Sequence, residues 1–500
     1  MIERRRVLIV GAGFGGLGMA ASLRAAGIDD FTVLEKGDEV GGVWRDNVYP
    51  GAACDIPSHL YSFSFEPKTD WSRAFAPQPE ILEYLKGVAA KYDLRRHVRF
   101  RTEVRSAEFD EREGVWRVTA TSGQRFDARI VVTACGQLNR PLIPTLPGAE
   151  RFRGAAFHSA RWAEAGVEGK RVAIIGTGAS AIQIVPSIVG RVDRLHLFQR
   201  SAPYVIAKAD RTFSGWEQAL FDRIPAVMRL NRGGIYAAYE ARALGLVFAP
   251  PLLALLQASF RRHLEASVPD PGLRGKLLPD YPFGCKRVLL SSDYYPALLR
   301  PNAEVVTDAI REVTAHGNVT ADGRERAVDT IVYATGFKAS EFLAPMGIRG
   351  RGGRDLHAAW KDGAEAYLGV AISGFPNLFM LYGPNTNLGH NSIIYMLESQ
   401  IRYVTRLVQE IEARKLRFVD VASKAQAAYN ADVQRRIDGS IWSGDCTSWY
   451  KTASGKNTNN WPNFTFVYRR RTREPDFADY EIAADGAASS GAREAPKYSS

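Results

Sequence analysis

One pattern limits what this chain can fold into more than any other, and it occurs twice: an apolar strand, a glycine-rich turn, an aliphatic helix and a second strand. In the first copy Arg6 to Val10 leads into GAGFGG (Gly11 to Gly16), a helix through Ala26 closed by Gly27, and a strand from Phe31 to Leu34. In the second, Arg171 to Ile175 leads into GTGASA (Gly176 to Ala181), a helix from about Ser180 to Val189, and Leu195 to Gln199. A G-x-G-x-x-G/A turn in this context is a dinucleotide fingerprint. The first glycine makes the tight turn, the second lets the backbone approach a pyrophosphate, and the third lets helix and strand pack closely. The free N–H groups of the helix then face the phosphates. The pattern predicts an α/β protein with two Rossmann-like dinucleotide-binding domains.

The two copies differ in charge where the second strand ends. Glu35 closes the first unit, and a carboxylate there accepts hydrogen bonds from ribose hydroxyls and repels a 2′-phosphate, so FAD or NAD is expected. Arg200 and Ser201 close the second, where a guanidinium pairs with a 2′-phosphate and selects NADPH. The candidate binding residues are Gly11, Gly13, Phe14, Gly15, Gly16 and Glu35 on the first turn, and Thr177, Gly178, Ser180, Ala181, Gln183, Arg200 and Ser201 on the second. Between them lies GGVWRDNVYPGAACD (Gly41 to Asp55), where Gly42, Val43, Trp44, Tyr49 and Pro50 suit a loop over a flat ring, and Asp55 adds a charge that packing alone does not need. Two sites of opposite polarity predict an oxidoreductase that passes a hydride from NADPH to FAD.

With 500 residues the chain exceeds a single core. Two further strand-to-glycine crossings, ARIVVTACG and DTIVYATGF, mark where it leaves and re-enters the first fold, and the proline-rich NRPLIPTLPG suits a linker. The expected organisation is an FAD-binding part over 1–145, an NADP-binding domain over 146–330 with a helical insertion at about 212–268, a second FAD-binding part over 331–475, and a disordered tail over 476–500. The net charge of +11 comes from scattered basic residues without interleaved aromatics, which argues against nucleic acid. The apolar stretch Leu244 to Phe260 is short for a span and is broken by Pro250 and Pro251, so it is expected in the core or on a substrate channel rather than against a membrane. The four cysteines stand far apart in sequence, which predicts reduced thiols in a cytoplasm, without a disulfide scaffold or a metal site.

Several longer motifs carry a resemblance. FRGAAFHSARW (Phe152 to Trp162) fits FxGxxxHxxxW, and Gly41 to Asp55 fits GGxWxxxxYPGxxxD. YPFGCKR, YATGF, FPNLFMLYGPNTNLGHNS and SWYKTASGKNTNNWP extend the similarity over most of the chain. In these the sequence resembles the class B flavoprotein monooxygenases, and within them the Baeyer-Villiger monooxygenases. Relatives that oxidise nitrogen or sulfur usually carry Phe or Tyr at the position of Trp162, and Ala163 departs from the usual Pro or Asp.

The resemblance implies oxygen insertion next to a ketone carbonyl, giving an ester or lactone through a C4a-peroxyflavin and a Criegee adduct, with NADPH and O2 consumed and a small-molecule ketone or sulfide as substrate. The alternative is a flavin monooxygenase acting on sulfur or nitrogen; a disulfide reductase would need a cysteine pair near the flavin. By the same resemblance Arg287 is the catalytic arginine and Asp55 its acidic partner, Lys286 supports Arg200 at the phosphate, and Trp449 contacts the nicotinamide cofactor. Trp44, Tyr61 and Val104 take positions that contact FAD. His158 and Trp162, if helical, share one face and serve a hinge rather than a chemical step.

Overall fold

A computed structural model describes residues 2–162, 166–444 and 446–484. The strand Ile2–Val10 alternates in exposure over its first half and is wholly buried over Val7 to Val10, as expected for a parallel strand covered on both faces. It pairs in parallel with Phe31–Leu34 on one side and Arg125–Thr133 on the other, with Val10 opposite Leu34 and Thr133. The full sheet has eight strands, in the order Gly347–Arg349, Val104–Asp110, Val115–Ala120, Arg125–Thr133, Ile2–Val10, Phe31–Leu34 and Val98–Arg99, with Leu378–Met380 also on Arg125–Thr133. Helix Phe14–Ala25 crosses from the first strand and packs on the long helix Ile393–Ala413. The approach is close: a Cβ on Gly18 would lie 2.7 Å from Ile401.

A second, five-stranded parallel sheet runs Ala303–Val306, Arg194–Phe198, Arg171–Ile175, Thr330–Tyr333, Ala155–His158. The strand of YATGF therefore lies inside this sheet, beside Arg171–Ile175. The second unit continues through Tyr333, past the boundary expected at 330. The insertion is helical over Gly215–Arg223, Pro225–Glu240 and Leu253–Ser267, and it is tied to the first unit by paired backbone at Arg73 and Thr212.

Three expectations are corrected here. The segment expected as a disordered tail from 476 forms a short helical turn, Phe477–Asp479, and a strand, Tyr480–Ala484, antiparallel to Leu416–Val421; the rest of the tail lies outside the described residues, as does Ala163. Cys285 and Cys446 are joined in a disulfide with Cα atoms 6.6 Å apart, so the reading of four reduced thiols fails; Cys54 and Cys135 are free. The stretch 244–260 is largely on the surface. Val247, Leu253 and Phe260 point inward, while Leu244, Phe248, Leu252, Leu255 and Leu256 are exposed.

Candidate active site

At the first turn the backbone is locked by contacts that only glycine permits. Gly11 has φ +105°, and a Cβ there would come within 2.7 Å of the Ala134 carbonyl oxygen; a Cβ on Gly16 would overlap the carbonyl of Gly11. Gly42, at φ +54°, brings the GGVW turn against the Cα of Gly13. The helix begins with no side-chain cap and no acid in its first turn, so its N–H groups remain available to a pyrophosphate.

Glu35 is buried. It accepts from the N–H of Ala12 (2.8 Å) and of Gly37 (2.7 Å) and pairs with Arg45 Nη1 at 2.8 Å. A carboxylate has about four lone-pair positions, so one, on Oε2, remains for a ribose hydroxyl. Arg45 is a participant that sequence reasoning missed, although it follows Trp44 directly. Val43 opens the short helix Val43–Asp46. Trp44, Tyr61 and Phe14 form an aromatic cluster at the head of the helix: Trp44 Nε1 donates to Tyr61 Oη at 3.2 Å, and the Tyr61 ring stands edge-on to Phe14 at 5.2 Å. Val104 is buried in one core cluster with Val10 and Leu34. This set fits FAD: a free phosphate cradle, a carboxylate with one acceptor to spare, and aromatic walls.

The second turn repeats the device. Gly176 has φ +108°, and a Cβ on it would lie 2.5 Å from the Ala334 carbonyl. Helix Ala181–Ile188 starts at Ser180 and is likewise uncapped, with Ala181 buried where the first unit has its third glycine and Gly178 exposed before it. Thr177 Oγ1 donates to the backbone of Ser201 at 3.1 Å, and Lys286 Nζ donates to Ser201 Oγ at 3.2 Å. Arg200 is exposed at the strand end. Burial holds the Lys286 ammonium below its usual pKa, and Arg200 pushes in the same direction while Asp280 opposes it. Among the described residues neither cation has a carboxylate within ion-pair distance. Two unneutralised cations beside a hydroxyl fit the 2′-phosphate of NADP.

Gln183, expected at the NADP phosphates, has both ends of its amide engaged across the units. Its Nε2 donates to the Ala53 carbonyl at 2.9 Å, and Tyr49 Oη donates to its Oε1 at 3.0 Å. Gly51 lies against the same helix, where a Cβ would approach the Gln183 carbonyl to 2.7 Å. The YPGAACD loop is thereby docked on the second phosphate helix.

That docking places Asp55 opposite Arg287. Arg287 Nε and Nη2 both donate to Asp55 Oδ2, at 2.8 and 2.5 Å, although the residues are 232 positions apart. Asp55 raises the arginine's pKa far above its ordinary value, against the opposing effect of burial. Arg287 Nη1 has only a long contact, 3.4 Å to the Leu388 carbonyl. Around the pair stand two phenols that sequence reasoning did not single out, though both lie in quoted motifs. Burial pushes Tyr450 up to about 12, and Tyr382, also raised by burial, donates to Asn387 Oδ1 at 2.7 Å. Trp449, partly exposed, packs on Tyr450 with ring centroids 4.5 Å apart, and the Cys285–Cys446 disulfide ties this loop to the segment bearing Lys286 and Arg287. A cavity of about 350 Å³ is lined by Phe75, Ile206, Tyr239 and Arg242 together with Pro57 and Leu290, which follow Asp55 and Arg287 closely in sequence.

His158 is not on a helix with Trp162. It ends the strand Ala155–His158, and its Nδ1 accepts from the N–H of Ala160 (3.1 Å) to start the turn Ser159–Arg161. Its Nε2 meets the Gly336 carbonyl at 2.9 Å, the oxygen that also receives the N–H of Leu142 at 2.9 Å. The imidazole and the N–H of Leu142 thus meet at the Gly336 carbonyl, where the two chain crossings between the units come together. Trp162 packs edge-on against Phe157 at 5.3 Å.

Two uncapped dinucleotide turns of opposite charge, with an arginine-carboxylate pair drawn from both units between them, define a flavin oxidoreductase that uses a nicotinamide cofactor. Residues 4–243 match the family model described as flavin-binding monooxygenase-like. A Baeyer-Villiger monooxygenase from Pseudomonas aeruginosa is 47% identical over 480 residues, covering 95% of this chain and 91% of its own. Among solved structures, an oxidized steroid monooxygenase bound to NADP is 32% identical with a TM-score of 0.86, covering 96% of this chain and 99% of its own. The OTEMO complex with FAD and NADP is 27% identical with a TM-score of 0.87, covering 97% and 100%. The chain belongs to the Baeyer-Villiger monooxygenase family of flavin-binding enzymes. Its cofactors are FAD and NADP.

Proposed function

We propose that the protein oxidises a small apolar ketone to an ester or lactone, using NADPH and O2, with Arg287 as the catalytic donor and Asp55 as the residue that positions it. The observation that carries this reading is the division of the arginine's donors. Nε and Nη2 are committed to Asp55, while Nη1 is nearly unspent. Bound FAD and NADPH supply the oxygen activation and the hydride; the chain supplies position and fixed charge.

A guanidinium stays protonated at any working pH, so Nη1 offers its hydrogen bonds without a proton changing hands. When the ketone carbonyl is attacked its oxygen gains negative charge, and a preorganised cationic donor lowers the cost of that charge. Asp55 restricts the rotation of the guanidinium and keeps it aimed between the two units. Tyr382 and Tyr450, held as neutral phenols, leave the local charge to the Asp55–Arg287 pair. Arg200, Lys286 and Ser201 bind the NADP phosphate, and the pocket of Pro57, Ile206, Tyr239 and Leu290 receives the apolar body of the substrate. The compartment consistent with this NADPH demand is the cytoplasm; among the described residues no single helix is long and apolar enough to cross a membrane.

A panel of cyclic and linear ketones and sulfides, incubated with NADPH under ¹⁸O2, tests the reading. Esters or lactones carrying one ¹⁸O atom are expected. Oxidation confined to the sulfides would overturn the ketone assignment in favour of the sulfur-oxidising alternative.

A further inference from the structure

The surface of the helical insertion carries a feature the reaction does not use. Helix Pro225–Glu240 continues through a turn at Leu244–Phe248, and after the break at Pro250 helix Leu253–Ser267 turns back at 116°. At and after this bend Leu244, Phe248, Leu252, Leu255 and Leu256 are exposed, Leu255 by 73%. The side chains that secure the bend face inward: Leu246 and Leu253 reach Gly284, and Phe260 packs on Tyr204 at 4.8 Å. On the outer side Phe248 stacks on Phe464, which stacks on Phe466, itself half exposed, at 4.8 and 5.0 Å, so the apolar face is continuous with a second segment.

The charge around this face is mainly positive. Residues 222–265 contain six arginines and three acids, Asp222, Glu240 and Glu265. Glu240 is buried, where Oε2 accepts from Asn391 Nδ2 at 2.6 Å and from Thr465 Oγ1 at 2.8 Å; Asp222 and Glu265 are exposed. Arg232 is spent on the backbone of His59 and Ser62. Arg242 lies over the Tyr239 ring at 3.7 Å and lines the cavity. The other four, Arg223, Arg229, Arg261 and Arg262, are exposed, and among the described residues none has a carboxylate within ion-pair distance.

We infer that this bend is a docking surface for an anionic lipid membrane, with the leucines and Phe248 entering the headgroup boundary and the arginines meeting lipid phosphates. An apolar tip rimmed by unneutralised arginines is the composition of an interfacial anchor, and neither helix is built to span. A second copy of this chain is disfavoured as the occupant, because it would bring the same four cations against themselves. The inference is independent of the reaction proposed above, since it rests on the outer face alone.

The test is co-sedimentation of the full-length holoprotein with sucrose-loaded vesicles, either phosphatidylcholine alone or with 30% phosphatidylglycerol added. Binding to the phosphatidylglycerol vesicles at low salt is expected, weakening as salt rises. Each arginine at the surface contributes roughly fivefold, so Arg261→Glu/Arg262→Glu should lower the partition coefficient at least ~25-fold. Leu255→Asp/Leu256→Asp should abolish pelleting while flavin reduction by NADPH stays at the wild-type rate, which reports an intact fold. Absence of binding to anionic vesicles, or equal pelleting of the wild type and the Leu pair, would overturn the inference. So would concentration-dependent self-association that the Leu pair abolishes, since that would make the face a contact between copies.

Discussion

Replacing Arg200 by Ala tests the division of labour between the two nucleotide turns. Arg200 and Lys286 flank Ser201 without a carboxylate, so both are expected to bind the 2′-phosphate of NADPH and neither to contact NADH at that point. A hydrogen bond to a charged group contributes about 1.5–3 kcal/mol. Arg200 is exposed, which places its loss toward the low end, at about 2 kcal/mol. The change also relieves Lys286 of a neighbouring positive charge that now lowers its pKa, so the lysine binds the phosphate somewhat better and offsets part of the loss.

At 1.4 kcal/mol per tenfold, the dissociation constant for NADPH should rise roughly 10- to 30-fold, and that for NADH less than about threefold. The assay is anaerobic stopped-flow bleaching of the flavin at increasing NADPH and NADH, which separates the dissociation constant from the limiting reduction rate. The limiting rate with NADPH should be unchanged, because Arg200 is far along the cofactor from the hydride. Parallel losses for NADPH and NADH, or an unchanged NADPH constant, would refute the assignment of the second turn.

Three further outcomes follow from the geometry. Arg287→Ala should retain flavin reduction by NADPH and lose ester formation by at least ~100-fold, with oxygen uptake diverted to hydrogen peroxide; product formation near the wild-type rate would remove Arg287 from the chemistry. His158 has a pKa lowered chiefly by burial, so the folded protein binds fewer protons there than the unfolded chain does. Its stability contribution is therefore complete above the unfolded pKa near 6.5 and is lost as pH falls toward the folded value. The melting temperature of the wild type should accordingly drop more than that of His158→Gln between pH 7.5 and 5, and identical pH profiles would show that the imidazole does not titrate with folding. Thiol titration of the denatured protein should find two thiols without reductant, Cys54 and Cys135, and four with it; four in both would show that Cys285 and Cys446 are not bonded.

What could be read from the sequence follows the range of the interactions. The two glycine turns are local, since strand, turn and helix together fit within about 25 residues, and their positions agree with the structure. The charge contrast between Glu35 and Arg200 is also local. The Asp55–Arg287 pair spans 232 residues and was accessible only through resemblance to a family. Cys285 and Cys446, 161 residues apart, had no such guide, and spacing alone argued for free thiols. His158 was misplaced because i to i+4 spacing also fits a strand that ends in a turn, and pairing with Thr330–Tyr333 decides between them. In YEIAA a single hydrogen-bonded partner strand outweighs a composition that reads as tail. Leu244 to Leu256 failed for the converse reason, because apolar content predicts burial only where a partner surface exists.

The segment Gly284 to Arg287 shows how these long-range contacts combine. Cys285, Lys286 and Arg287 are consecutive, yet each is held by a different part of the molecule: Cys446 on the C-terminal loop, Ser201 at the second nucleotide turn, and Asp55 on the loop over the first. The backbone turns at Gly284 (φ +89°) and stays irregular through Arg287, so one residue step separates the Lys286 contact with Ser201 from the Arg287 pair with Asp55. The Ser201 and Asp55 contacts are therefore one peptide apart, and the disulfide joins their segment to the loop that bears Trp449. In the proposed reading, cofactor recognition and placement of the catalytic donor would thus fall on a single peptide segment, while Gln183 joins the YPGAACD loop to the second phosphate helix and His158 meets Gly336 at a chain crossing.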